Sequence, residues 1–201
     1  IATLADVIEQ QVRADTAAVM GPEPVIAAVH RAFPQATVRH LVVWERAITP
    51  RTAGRVRPPE PAQVSSFAAA SFQAFSEELG FAPVPSFDDP AYLDLWERAR
   101  EQGRLLGCWD DAGRCIFRVE IRPALGLVAE LRGLWLAPSW RGAGRAGGLL
   151  EETLGALATA GVPRAQVIAD QDHIVATKLY HRAGFVRVGR LCRLELPRVG
   201  G

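Results

Sequence analysis

A mixed α/β domain around a central sheet is the fold class this sequence predicts, on three observations. The chain has 201 residues, 49% hydrophobic and 22% charged, a size at which roughly 70% of the unfolded surface can be buried without disulfides. In residues 114–122, Cys115, Phe117, Val119 and Ile121 alternate with Arg114, Arg118, Glu120 and Arg122, the period of a strand with one buried and one wet face. From residue 54 onward the segments read β-α-α-β-β-β-α-β-α-β-β, interleaved as a sheet covered by helices requires.

Taken in order, Leu4, Val7, Ile8 and Val12 recur at helical spacing, and residues 17–20 read as a short strand stopped by Gly21-Pro22. A second helix fits residues 24–33, with Val25, Ile26, Val29 and Phe33 on one side, and residues 37–48 are a strand by β-branched and aromatic content. This α-β-α-β segment is too short to bury both faces of its own sheet. Residues 49–62 hold four prolines and a glycine and read as a linker, within which residues 55–57 suit a short first strand of the main domain. The boundary therefore separates an N-terminal segment, 1–52, from that main domain, 53–201.

The main domain opens with a helix marked by Phe67, Phe72, Phe75 and Leu79 and closed by Gly80, then a shorter one with Tyr92, Leu95, Trp96 and Ala99. Asp110-Asp111-Ala112-Gly113 is the turn between a strand at 105–109 and the alternating strand. Residues 127–136 make a third strand, ended by Pro138. Leu149, Leu150, Thr153, Leu154, Leu157 and Ala158 mark a helix, residues 166–169 a strand, Ile174, Val175, Leu179 and Ala183 another helix, and residues 185–196 a closing pair of strands.

Composition excludes several function classes. With 23 basic against 22 acidic side chains, there is no field to gather nucleic acid or an anionic membrane. Three cysteines (Cys108, Cys115, Cys192) without a CxxC pair, and four histidines without metal-ligand spacing, predict a cytoplasmic protein that binds no metal. The cysteines fall on strands and read as buried small hydrophobes. No apolar run approaches the ~18 residues of a membrane span. The chain starts at Ile1 rather than Met, so residues upstream are expected.

The chemistry should sit where a strand turns into a glycine-rich helix entry, at residues 134–147 (LWLAPSWRGAGRAG). Successive backbone N–H groups at a helix start, with no Cβ at Gly142 and Gly144, suit a pyrophosphate. A tight structural turn is the alternative for such a loop taken alone, and the spacing is neither GxGxxG nor GxxxxGK[ST].

This segment resembles the acetyl-coenzyme A motif of the GNAT acetyltransferases, apolar-x-apolar-x-Pro-x-x-Arg/Gln-x-x-Gly-x-Gly/Ala, with Arg141, Gly144 and Ala146 on its three fixed places. A second signature of that family, Asn-x-x-Ala-x-x-Leu-Tyr-x-x-x-Gly-Phe, is met by Ala176, Leu179, Tyr180, Gly184 and Phe185, with His173 where the family has Asn. The resemblance covers residues 54 to about 197. It implies a mixed, mostly antiparallel sheet flanked by helices, and transfer of an acetyl group from acetyl-CoA to an amine of a small molecule or peptide. It further implies that the backbone of Leu134, Trp135 and Leu136 pairs with pantetheine, and that Gly142, Ala143, Gly144, Arg145, Ala146 and Gly147, after Arg141, hold the pyrophosphate. Ala176 and His173 would lie at the cofactor's side of the second motif, where imidazole can still offer one donor; a partly exposed first-turn histidine is the plainer reading. Trp135 could stack near the cofactor arm.

An amine attacking a thioester needs a neutral nitrogen, a stabilised oxyanion and a proton for the departing thiolate. Tyr180 resembles the family's proton donor; an aromatic on a core-facing helix stripe is the alternative. A strand N–H near Leu136 is the expected oxyanion donor. Glu130, six residues before Leu136, stands where one branch of the family keeps a glutamate base; an exposed Glu paired with Arg132 or Arg122 is the alternative. Glu120 is the substitute base, and water the third candidate. Gly133 suggests a bulge that changes which side faces the cleft. Trp96, Trp109, Trp135 and Trp140 could line a cleft or fill the core, and Asp88-Asp89 and Glu77-Glu78 read as a solvated acidic face.

Residues 1–48 resemble the latter half of the same fold without its motifs. A structural or lid role is expected there, with a sheet edge that pairs with the main domain or with a second subunit, as in a homodimer. Two function classes stand: an acetyl-CoA:amine N-acetyltransferase, and a non-catalytic coenzyme A-binding sensor or scaffold. A longer acyl donor is compatible with the first.

Overall fold

A computed structural model describes residues 18–51, 54–79, 88–124 and 127–195, without the side chain of Leu79. The predicted helix through Leu4 and Val12 and the stop at Gly80 lie outside these residues. The elements are β1 (Ala18–Gly21), α1 (Glu23–Ala32), β2 (Thr37–Ala47), α2 (Val64–Leu79), α3 (Pro90–Glu101), β3 (Leu105–Trp109), β4 (Cys115–Ala124), β5 (Val128–Leu136), α4 (Arg145–Thr159), β6 (Arg164–Asp170), α5 (Ile174–Arg182) and β7 (Val186–Glu195). They form the predicted mixed α/β architecture. Seven strands hydrogen-bond in the order β1-β7-β2-β6-β5-β4-β3, mostly antiparallel, with β5 and β6 parallel.

Two compact units divide the chain. One comprises Glu45–Val167 and Leu179–Phe185; the other Ile1–Trp44, Ile168–Lys178 and Val186–Gly201. In the first, the predicted strand at 55–57 is a single bridge between Arg57 and Gly107 that leaves Val56 buried. Asp89 caps α3 by accepting the Ala91 N–H at 2.8 Å. One face of β3–β5 is covered by α2 and α3, in a cluster of Val64, Phe67, Trp96, Leu105, Cys115 and Trp135. The β3–β4 register shifts between Cys108 and Trp109, which puts Cys115 on the face of Arg118, so Phe117, Val119 and Leu131 lie on the other face, and all three are buried. The α4 helix adds buried Leu149, Leu150, Leu154 and Leu157. In the second unit, Ile26 and Val29 of α1 pack with Cys192 and Leu194 of β7.

Three expectations change. The face of β4 expected to be wet is covered over its middle: Arg118 and Glu120 are buried, with Phe67 and Trp96 over the Arg118 guanidinium, while Arg114 and Arg122 are exposed as expected. Residues 186–195 form one strand, not a pair. Ile174 and Val175, expected to mark the core stripe of their helix, are 63% and 75% exposed in its first turn.

Candidate active site

The loop from β5 into α4 has the predicted form. Gly142 and Gly144 both take left-handed backbone, φ 83° and 70°, which an L side chain adopts only with strain. Backbone hydrogen bonds run Trp140 N–H to Ala137 and Arg141 N–H to Pro138, then resume with Gly147 N–H to Gly144 at 3.3 Å. Between them the amides of Gly142, Ala143, Gly144, Arg145 and Ala146 meet no acceptor among the described residues. A Cβ on Gly142, Gly144 or Gly147 would meet nothing within 4 Å, so the space over the loop is open. Five unpaired donors at the positive end of a 15-residue helix fit a diphosphate. The Arg141 side chain is turned back onto the protein: Nε donates to the Leu136 carbonyl at 2.8 Å and Nη2 to Glu77 at 2.7 Å.

Upstream, β5 is interrupted. Arg118 pairs with Trp135 and Glu120 with Arg132, so Gly133 and Leu134 together oppose Val119. This is a β-bulge, and Gly133 at φ 56° carries it. The bulge shifts the alternation, placing Glu130, Arg132 and Trp135 on one face with Arg118, Glu120 and Arg122. Parallel pairing with β6 covers Val128–Leu131; beyond the bulge β5 keeps β4 as its partner within this unit. Trp135 points into the α2–α3 cluster, its Nε1 donating to Glu77 at 3.3 Å, so its backbone rather than its ring is left for a ligand.

Glu130 is half-buried and pairs with Arg132 at 3.1 Å. Glu120 is less suited to take a proton: burial works to raise its carboxyl, but the guanidiniums of Arg104 and Arg122 hold it below its ordinary value. Tyr180, in the last turn of α5, is 8% exposed and packs edge-on against Phe185, centroids 5.8 Å apart. Its hydroxyl makes no hydrogen bond among the described residues, and burial pushes its pKa up to about 12.

The sequence matches the acetyltransferase (GNAT) family over residues 69–185, a span that contains the loop, the bulge and Tyr180. The chain belongs to the GNAT acetyltransferases. Solved structures agree on the fold: a GCN5-related N-acetyltransferase from Sphaerobacter thermophilus has TM-score 0.64 and 20% identity over 96% of this chain and 65% of its own. An acetyltransferase of the GNAT family from Colwellia psychrerythraea gives 0.62 and 19% over 96% and 71%, and one from Staphylococcus aureus 0.54 and 10% over 71% and 98%. The chain thus spans about two thirds of the length of the Sphaerobacter structure. No curated protein matches it. Members of this family move an acyl group from acyl-CoA.

The departure from the GNAT signature at His173 has a structural use. His173 Nδ1 accepts the Ala176 N–H at 3.1 Å, capping α5 as an Asn side chain would and leaving the ring proton on Nε2. His173 is exposed and Ala176 half-buried; both lie in the unit that does not contain the loop. The tryptophans divide. Trp96 is core and Trp109 lies under Arg57, while Trp135 and Trp140 line a groove of about 370 Å³ with Ser66, Gln73 and Ser139. All three cysteines are free and buried. Glu77, read from the sequence as part of a solvated acidic face, ties α2 to both Trp135 and Arg141, a role only three-dimensional contact reveals.

Proposed function

We propose that the protein transfers the acetyl group of acetyl-CoA to a primary amine by direct attack in a ternary complex. The run of five acceptor-free amides from Gly142 to Ala146 carries this reading, because it offers a doubly charged phosphate group what an ordinary helix start spends on a cap. Bound acetyl-CoA supplies an activated acyl carbon. The loop amides hold the pyrophosphate, Leu134–Leu136 backbone aligns the pantetheine, and an N–H of that strand faces the developing oxyanion. An N–C bond forms as the C–S bond breaks. Glu130, directly or through water, takes the proton the nitrogen loses, and Tyr180 gives one to the departing sulfur. Burial suits Tyr180 to this, since a phenol held protonated remains a donor across the neutral range. Residues 1–52 are assigned a structural or substrate-lid role. Their removal should lose solubility or activity, and full solubility, monomer state and activity without them would remove that assignment.

Calorimetry with acetyl-CoA, followed by thiol release over an amine panel, tests the reading. Binding and release are expected, with Glu130→Gln lowering kcat ~10²-fold or more if Glu130 is the base. Binding without release under any amine would favour a coenzyme A sensor, and absence of binding would remove both readings.

A further inference from the structure

The face of β4 and β5 that carries Glu130 holds more positive charge than its carboxylates neutralise. Glu120 is shared by Arg104 and Arg122, and Glu130 pairs with Arg132. Arg118 is left without a carboxylate in ion-pair contact, so among the described residues four guanidiniums face two acidic groups, a surplus of two.

Arg118 is where the imbalance concentrates. A guanidinium removed from water ordinarily has a carboxylate against it, because an unpaired buried charge costs several kcal/mol. Here Cζ lies 5.1 Å from the ring centroids of both Phe67 and Trp96. Those rings attract the cation and fix its plane but accept little from its in-plane N–H groups. Nε and Nη1 have no partner among the described residues. The Tyr92 hydroxyl and Trp96 Nε1 of the same cluster are buried too and reach no acceptor at full hydrogen-bond distance, the indole N–H being turned toward the Tyr92 oxygen. Arg118 and Tyr92 thus hold buried donors in want of an acceptor. Burial lowers the Arg118 pKa to about 10, which leaves it charged at neutral pH.

Its position ties this deficit to the acetyl-transfer strand. Arg118 pairs with Trp135, and a Cβ on Gly133 would lie 2.6 Å from Nη1. The guanidinium therefore sits directly beneath the exposed backbone of the β5 bulge, in space that only glycine leaves open.

We propose that the acceptor is an amine bearing a carboxylate, an amino acid rather than a polyamine or a protein lysine, and that Arg118 and the Tyr92 hydroxyl form the seat of that carboxylate. The inference rests on the acetyl-transfer reading above and specifies its substrate class. A carboxylate supplies the acceptor atoms these donors lack. The remaining positive charge then works on the substrate's ammonium, lowering its pKa toward the neutral amine that attack requires.

Amino acids, each matched with its decarboxylated amine, are assayed for thiol release from acetyl-CoA, and the N-acetylated member of every pair is titrated into ¹⁵N-labelled protein while the Arg118 Nε–Hε resonance is followed. At least one amino acid should exceed its amine by about tenfold or more in kcat/KM, as expected where a site must hydrogen-bond the group that is missing. Its N-acetyl form should shift the Arg118 resonance saturably, and the N-acetyl amine should not. Arg118→Met should bring kcat/KM of the pair to parity with acetyl-CoA affinity unchanged, and Arg118→Lys should restore part of the preference. Amines used as well as amino acids, or no shift from any N-acetyl amino acid, overturns the proposal; the shift is read in the unmodified protein and so does not depend on the variants folding. Loss of acetyl-CoA binding in the unmodified protein would instead sink the acetyl-transfer reading itself.

Discussion

Replacing Tyr180 by phenylalanine separates a chemical role from a packing role, because the structure predicts different outcomes for rate and stability. The hydroxyl has no hydrogen-bond partner among the described residues, while the ring packs against Phe185. Removing a hydroxyl that bonds to no described residue forfeits no hydrogen bond within the protein, while the ring keeps its packing. Tyr180→Phe should therefore melt within a few degrees of the parent. A positioned proton donor contributes ~10² to 10⁴ in rate, so thiol release at saturating substrates should fall by that factor with acetyl-CoA affinity unchanged. The pH dependence supplies a third reading. The folded pKa of about 12 lies above the ordinary phenol value of 10.0. The unfolded chain thus releases the phenolic proton first, and the associated stability is complete below pH 10 and lost as pH rises toward 12. At ~1.4 kcal/mol per pH unit this amounts to roughly 3 kcal/mol, absent from the variant. Chemical denaturation at pH 7 and pH 11 with steady-state kinetics measures all three. A variant that keeps full activity, or is destabilised by more than about 1 kcal/mol at pH 7, would refute the reasoning and return Tyr180 to the core.

Local geometry sets two more outcomes. Gly144→Ala meets no atom, so its effect is confined to the left-handed backbone, about 1–2 kcal/mol; acetyl-CoA affinity by calorimetry should fall roughly 5- to 30-fold, and an unchanged Kd would show that the loop does not hold the pyrophosphate. Burial pushes the Cys115 thiol up to about 12, so at pH 8 the native thiolate fraction is ~10⁻⁴ and iodoacetamide labelling of this position should be slower than in urea by a hundredfold or more, while rapid native labelling would contradict its burial.

The parts of the site that were legible in the sequence are those whose geometry is local. Gly142 and Gly144 announced a loop open to close approach, and Gly133 announced the bulge, because a missing Cβ is a property of one residue. Long helices and strands were legible for the same reason: one periodic face sufficed. What failed depended on distant chain. Arg118 reads as wet from its alternation with Phe117 and Val119, but alternation cannot say whether a second helical layer covers the polar face. Nothing near Arg141 in the sequence points to Glu77, 64 positions away. His173 departs from the family's Asn, yet its ring nitrogen can cap a helix start as an amide oxygen can. The exposure of Ile174 and Val175 follows no pattern in the sequence, and we have no physical account of it.

The pairing of β1 with β7, Ala18 against Glu195 and Gly21 against Cys192, has a consequence for biosynthesis. β2 also lies beside β7 in the sheet, so two strands made early wait for the last one. At 5–20 residues per second, the interval between completing β2 at Ala47 and β7 at Glu195 is roughly 7–30 s. Throughout that interval Leu41, Val42 and Trp44, buried in the finished protein, belong to a strand whose β7 neighbour has not yet been made. A ribosome that pauses anywhere between Ala47 and Glu195 would prolong that interval, and such pausing should increase chaperone engagement or aggregation of the newly made protein.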